Sequence, residues 1–147
     1  MIDPAKRSLV QNWLHKAQRD LATARKLGAG PDPYFDTALY HCQQSAEKVI
    51  KGFLVFHDQR FEKTHDIRLL AMQAAAIEPR FAEWGDIGLH LTPYATAFRY
   101  PSENLEPDEV EFQQAIEEAG QFCSFVVGLL PTEVQPAAHE TSGDLDE

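Results

Sequence analysis

Apolar residues recur every three or four positions along most of the chain, the spacing of helices that bury one stripe. Leu9, Trp13, Ala17, Leu21, Ala24 and Leu27 mark the first stripe. Ser8 with Gln11 forms a capping box at its start, and Gly28, Gly30, Pro31 and Pro33 end it in a loop. A second helix is expected from about Asp36 to His57, with Leu39, Cys42, Ala46, Val49, Ile50, Phe53 and Phe56 on one broad face. His41, Gln44, Ser45 and Lys48 fall together on its other side, and Gly52 shares their edge, where a missing Cβ lets another backbone come close.

Thr64 is the expected N-cap of a third helix, with Asp66 in its first turn and Ile67, Leu70, Ala71, Ala74 and Ala75 as its apolar side. Phe81, Trp84, Ile87, Leu91, Tyr94 and Phe98 suggest a fourth, which Pro93 kinks or splits and Pro101 stops. Pro107 suits a first turn and is followed by Asp108, Glu109 and Glu111, where the helix dipole favours negative charge. Phe112, Ala115, Ile116, Ala119, Phe122, Cys123 and Val126 then recur at helical spacing until Pro131. No alternating strand pattern and no internal repeat stand out. The expected fold is an all-α, up-and-down bundle of four to five helices over residues 1–131, followed by an acidic disordered tail over residues 132–147.

Composition narrows the class. The chain has 147 residues, about one domain's worth, and 44% are hydrophobic, enough for a core. Its longest apolar runs are far too short for a bilayer, and no charged segment followed by an apolar one opens it as a signal peptide does. Cys42 and Cys123 are too few and too distant for a disulfide framework or a zinc knuckle, so a cytoplasmic protein with two buried free thiols is expected, without a membrane. The net charge of -10 is uneven. Lys6, Arg7, Lys16, Arg19, Arg25 and Lys26 make the first segment basic, whereas no Lys or Arg follows Arg99. The overall charge argues against general nucleic-acid binding but leaves room for a local basic patch. The plainer account of the acids is a solvated surface that aids solubility.

Three passages carry candidate chemistry: Tyr40-His41-Cys42-Gln43-Gln44-Ser45-Ala46-Glu47-Lys48-Val49-Ile50-Lys51, Lys63-Thr64-His65-Asp66-Ile67 and Phe98-Arg99-Tyr100-Pro101. Each alone has a bland explanation: a polar helix face, a histidine bonding locally beside a helix start, an arginine pairing with the acidic last helix. In this order, together with Trp13, Ala17 and Asp20-Leu21, they resemble the HEPN domain family, of the type associated with minimal nucleotidyltransferases. The resemblance covers nearly the whole chain except the tail. It implies a helical bundle, often dimeric, encoded beside or fused to small nucleotidyltransferases, with some pairs acting as toxin and antitoxin. Many such proteins are metal-independent ribonucleases that use an Arg, four to six residues and then a His. Counting from Arg99, the permitted His positions hold Asn104, Leu105 and Glu106, none of which replaces an imidazole as proton donor and acceptor.

The expectation is therefore a binding module rather than an enzyme, with no catalytic residues, metal or cofactor. Its ligand- or partner-binding candidates are His41, Gln44, Lys48, Lys51, His65, Arg99 and Tyr100, with a nucleotide or RNA as ligand and a nucleotidyltransferase-type protein as partner. Three alternatives stand beside it. Arg60 and His65 have the ribonuclease spacing, but at the link into the third helix, where the match reads as accidental. Glu62 and His65 have the spacing of a di-iron bundle motif, but the second such motif is missing. Glu47, Lys48, Arg99 and acids of the last helix form a register-fixing buried network in a purely structural reading. A homodimer through an apolar seam is also expected, on a face the sequence does not identify.

Overall fold

A computed structural model describes residues 2–101 and 106–136. Among them the chain is all-helical: α1 (Pro4–Leu27), α2 (Phe35–Phe56), α3 (Ile67–Ala75), α4 (Gly85–Leu91) and α5 (Glu109–Gly128), with short 3-10 turns and no strand. The expected bundle of four to five helices is what the chain forms.

The helix ends differ from expectation for local reasons. Asp3, not Ser8, caps α1, its Oδ2 accepting the Lys6 N–H at 3.2 Å, and Pro4 pre-sets the first helical φ. These two signals come first along the chain, so Ser8 is already helical. Thr64 does not cap α3. Its Oγ1 accepts the Asp66 N–H at 3.0 Å, and Asp66 is the cap, with Oδ1 accepting from Arg68 N at 3.0 Å and Leu69 N at 3.3 Å. Asp108 caps α5 through Glu111 N, which leaves Pro107 just outside the helix rather than in its first turn.

The expected fourth helix is divided. Pro79–Trp84 and Thr92–Ala95 are 3-10 turns on either side of α4. Pro93 lacks an N–H and its ring blocks a continued α-helix. Thr92 fixes the second turn against its neighbours: its hydroxyl donates to Gly88 O at 2.6 Å and accepts from Ile67 N at 3.1 Å.

The core gathers around α2. This helix packs against α1 most extensively, and also against α5, α3 and the Thr92–Ala95 turn. Phe53, Phe81, Phe122, Leu14, Leu39 and Ile50 are among its fully buried side chains. Gly52 makes the close approach its position suggests: a Cβ there would lie 3.1 Å from Trp13 Cβ and 3.2 Å from Leu14 Cδ2. Gly28 is under a harder constraint, since a Cβ would lie 2.2 Å from Cζ of Phe112, whose ring stacks on Phe35.

The two cysteines are buried and free, and burial pushes both thiols up to about 12, so they stay protonated near neutral pH. The boundary at residue 131 moves outward. Thr132–Val134 form one turn of 3-10 helix, Val134 is fully buried, Gln11 Nε2 donates to Glu133 O at 3.1 Å, and Gln135 Nε2 donates to Leu130 O at 2.9 Å. Residues 132–136 therefore belong to the bundle, and the remainder of the expected tail, 137–147, lies outside the described residues. A substitution of Gly28 by Ala drives a methyl group into the Phe112 ring. It is expected to lower the urea midpoint at unchanged slope by about 1–3 kcal/mol of stability, measured by equilibrium unfolding.

Candidate functional site

A helix enclosed on several sides reads as apolar all round unless its polar groups find partners. α2 is enclosed this way from Ala38 to Leu54, and Gln43, Gln44, Ser45, Glu47 and Lys51 are all buried in it. Gln44 and Ser45 are thus not part of an outward polar face. Gln44 Nε2 donates to Gln43 Oε1 at 2.7 Å, and Ser45 Oγ donates to Cys42 O at 2.7 Å.

The charged residues sort into two clusters. In the first, the buried Asp20 carboxylate of α1 receives the Lys48 ammonium on Oδ2 and lies 2.8 Å from His41 Nδ1 through Oδ1. In the second, Glu47 is 4% exposed and is reached by three groups: Lys51 Nζ at 3.1 Å, Gln43 Nε2 at 3.2 Å and His65 Nδ1 at 2.7 Å. Gln43 Nε2 also donates to His65 O at 2.9 Å, which ties the link before α3 to α2. The His65 side chain itself is 64% exposed. Charge-assisted hydrogen bonds of this kind offset the desolvation of each carboxylate.

The single network expected from Glu47, Lys48, Arg99 and the last-helix acids does not form. Glu47 and Lys48 point to different partners, and the acids of α5 meet other groups. Tyr94 Oη donates to Glu111 Oε1 at 2.7 Å, and burial together with that bond raises the Tyr94 phenol well above its ordinary range. Glu118 Oε1 takes Gln114 Nε2 at 2.9 Å and lies 3.2 Å from His90 Nδ1.

Arg99 instead lies with its guanidinium 5.5 Å from the centroid of the Tyr40 ring. It lines a cavity of about 390 Å³ together with Asp36, Thr37, Tyr40, Tyr94 and Phe98. Asp36, Thr37 and Tyr40 come from the first two turns of α2, whereas Tyr94 and Phe98 come from the segment that Thr92 and Glu111 anchor. The Tyr94 and Phe98 rings are nearly parallel, 20° apart with centroids 6.1 Å apart. Tyr40 also touches the ring of His41, which joins this cavity to the Asp20 cluster. Aromatic walls with one cation and one carboxylate suit a planar, polar-edged ligand carrying negative charge.

Of the candidates, then, Arg99 lines the cavity, His41 and Lys48 hold Asp20 close by, and Lys51 and His65 hold Glu47. Gln44 is buried and Tyr100 is 73% exposed. Asp36, Thr37, Tyr40, Tyr94 and Phe98 are not among the named binding candidates, although Tyr40 and Phe98 stand in the passages singled out for chemistry and Tyr94 lies one helical turn before Phe98. Asp20 carries a signal as well: it is an acid beside Leu21 at the edge of an apolar stripe, in a segment rich in Lys and Arg. Among the described residues, no group of three His, Cys, Asp or Glu side chains is arranged to hold a metal ion. Asn104 and Leu105 lie outside the described residues, and Glu106 is exposed.

Residues 10–130 match the HEPN domain family, and the chain belongs to that family. Two solved structures share its fold. An archaeal HEPN homologue, ST0689, superposes with a TM-score of 0.65 at 28% identity, over 82% of this chain and 96% of that one. TT1696 from Thermus thermophilus superposes with a TM-score of 0.67 at 24% identity, over 82% of this chain and 98% of that one. No curated protein matches the chain.

Removing Lys48 leaves a buried carboxylate facing only His41, whereas removing Asp20 leaves an ammonium that still reaches water. Lys48→Ala is therefore expected to cost about 1–3 kcal/mol. The double substitution Asp20→Ala with Lys48→Ala is expected to cost less than the sum of the singles by about 0.5–3 kcal/mol, read from a urea double-mutant cycle.

Proposed function

We propose that this HEPN protein is a binding module that takes a nucleotide or a short RNA segment in the Arg99–Tyr40 cavity. The observation that carries the reading is the Arg99 guanidinium over the Tyr40 ring, at a cavity whose other walls include Tyr94 and Phe98. A base stacks on aromatic faces whatever its identity, and a guanidinium pairs with phosphate in a fork geometry that an ammonium lacks. His41 and Lys48 lie beyond Tyr40 on α2 and extend the polar surface away from the cavity. Their shared carboxylate lowers the net positive charge there, so Arg99 carries most of the attraction for phosphate.

The protein's partner in this reading is a small nucleotidyltransferase, in a pair of the toxin–antitoxin kind, and the module works as a cytoplasmic homodimer. The support for these points is the family membership and the arrangement of basic α1 against an acidic remainder. Arg99→Ala is expected to weaken binding of ATP, GTP and a short single-stranded RNA at least tenfold, measured by calorimetry at fixed salt, with Lys48→Ala having the smaller effect. Absence of binding by the unaltered protein defeats the ligand reading. Failure to co-purify with the product of a neighbouring gene counts against the partner, and a monomer at all concentrations in light scattering removes the dimer.

One observation favours a second reading, a metal-independent ribonuclease with a rearranged site. His65 has its Nδ1 held by the buried Glu47 carboxylate while its side chain is largely exposed, the arrangement that leaves an Nε2 lone pair available as a general base. This reading predicts RNA cleavage in chelator that His65→Ala abolishes. Cleavage that survives the substitution points to another site or a contaminant.

A further inference from the structure

Resting on the reading that this cavity takes a nucleotide, we infer that its base is guanine and that Asp36 is the residue that selects it. Asp36 stands four residues before Tyr40 in the first turn of α2, so the two share one face of the helix. Helical side chains lean toward the N-terminus, which carries the Tyr40 ring over the turn where Asp36 sits. A base bound beside Tyr40 in this cavity therefore presents an edge to the Asp36 carboxylate.

That carboxylate has bonding capacity to offer. Among the described residues its one side-chain hydrogen bond is from the Thr37 hydroxyl at 3.5 Å, the long limit of such a bond, and it takes part in none of the ion pairs found there. An ionised carboxylate only accepts, through two oxygens side by side. Guanine places N1–H and an N2 amino hydrogen side by side on its Watson–Crick edge, two parallel donors that match those oxygens. Adenine offers an N1 lone pair beside its amino group, cytosine an N3 lone pair beside its amino group, and uracil one N–H between two carbonyls. Each of these sets at least one lone pair against the carboxylate, which is repulsive, and leaves an oxygen without a donor. The cavity volume of about 390 Å³ holds a purine with part of its ribose, and Arg99 at the same cavity, its guanidinium over the Tyr40 ring, supplies positive charge for a phosphate beside the Asp36 carboxylate.

The test is calorimetric binding of GMP, IMP and AMP to the full chain and to Asp36→Asn, with circular dichroism to check the variant's fold. A matched pair of hydrogen bonds discriminates by about tenfold or more. The expected result is GMP about tenfold tighter than AMP, with IMP, which lacks the 2-amino donor, between them. Asp36→Asn is expected to lower GMP affinity about tenfold, toward that of AMP. Equal affinity of the unaltered protein for GMP and AMP overturns the guanine assignment while the nucleotide reading stands. A GMP preference that survives in folded Asp36→Asn removes Asp36 as the selecting residue. If no nucleotide binds the unaltered protein, both the selection and the reading beneath it fail.

Discussion

Everything in this bundle is arranged around one constraint: α2 is enclosed by its neighbours yet carries charge. Two carboxylates, Asp20 of α1 and Glu47 of α2, are buried against it, and neither is tolerable alone. Asp20 is held by Lys48 and His41, and Glu47 by Lys51, Gln43 and His65. Each set crosses an element boundary, the first binding α1 to α2 and the second binding the link before α3 to α2. A slip of α1 along α2 by one turn breaks the first set, and a shift of the residue 65 link breaks the second. Hydrophobic burial makes the helices associate. These polar sets choose the register in which they do so.

That register has consequences at the other end of α2. The first two turns of the helix carry Asp36, Thr37 and Tyr40, and they become one wall of a cavity only because the 92–98 segment is brought beside them. Pro93 prevents that segment from continuing α4, Thr92 ties it to α3 and α4, and Tyr94 ties it to α5 through Glu111. The proline that breaks a helical pattern is thus what turns Tyr94, Phe98 and Arg99 toward α2. In a continuous helix Tyr94 and Phe98 share a face, but Arg99, five residues beyond Tyr94, falls on another.

The helices are legible in the sequence because 3.6-residue periodicity survives any tertiary arrangement. The caps are less so. Ser8 and Thr64 have the right chemistry, but Asp3 with Pro4 and Asp66 have the right geometry, and two capping residues close together cannot be ranked by type alone. The run from Tyr40 to Lys51 announces an unusual helix and carries the family resemblance that residues 10–130 bear out. Its side-chain partners are not legible. Lys48 pairs with Asp20, 28 residues away, and His65 with Glu47, 18 residues away, pairings set by helix packing rather than by local spacing. Arg99 stands out in the sequence because it is a cation before a helix stop. The aromatic residues around it read as core there, since Tyr94 and Phe98 at helical spacing look the same on a buried stripe and in a cavity wall.

On the proposed function, ligand recognition belongs to the cavity beside Tyr40 rather than to the polar groups around Glu47. Amide and aromatic chemical-shift mapping during titration with GMP separates the two. Shifts concentrated at residues 36–40 and 94–99, with Glu47, Lys51 and His65 unmoved, are the expected result. Shifts centred on Glu47 and His65, with Tyr40 and Arg99 unchanged, place recognition elsewhere.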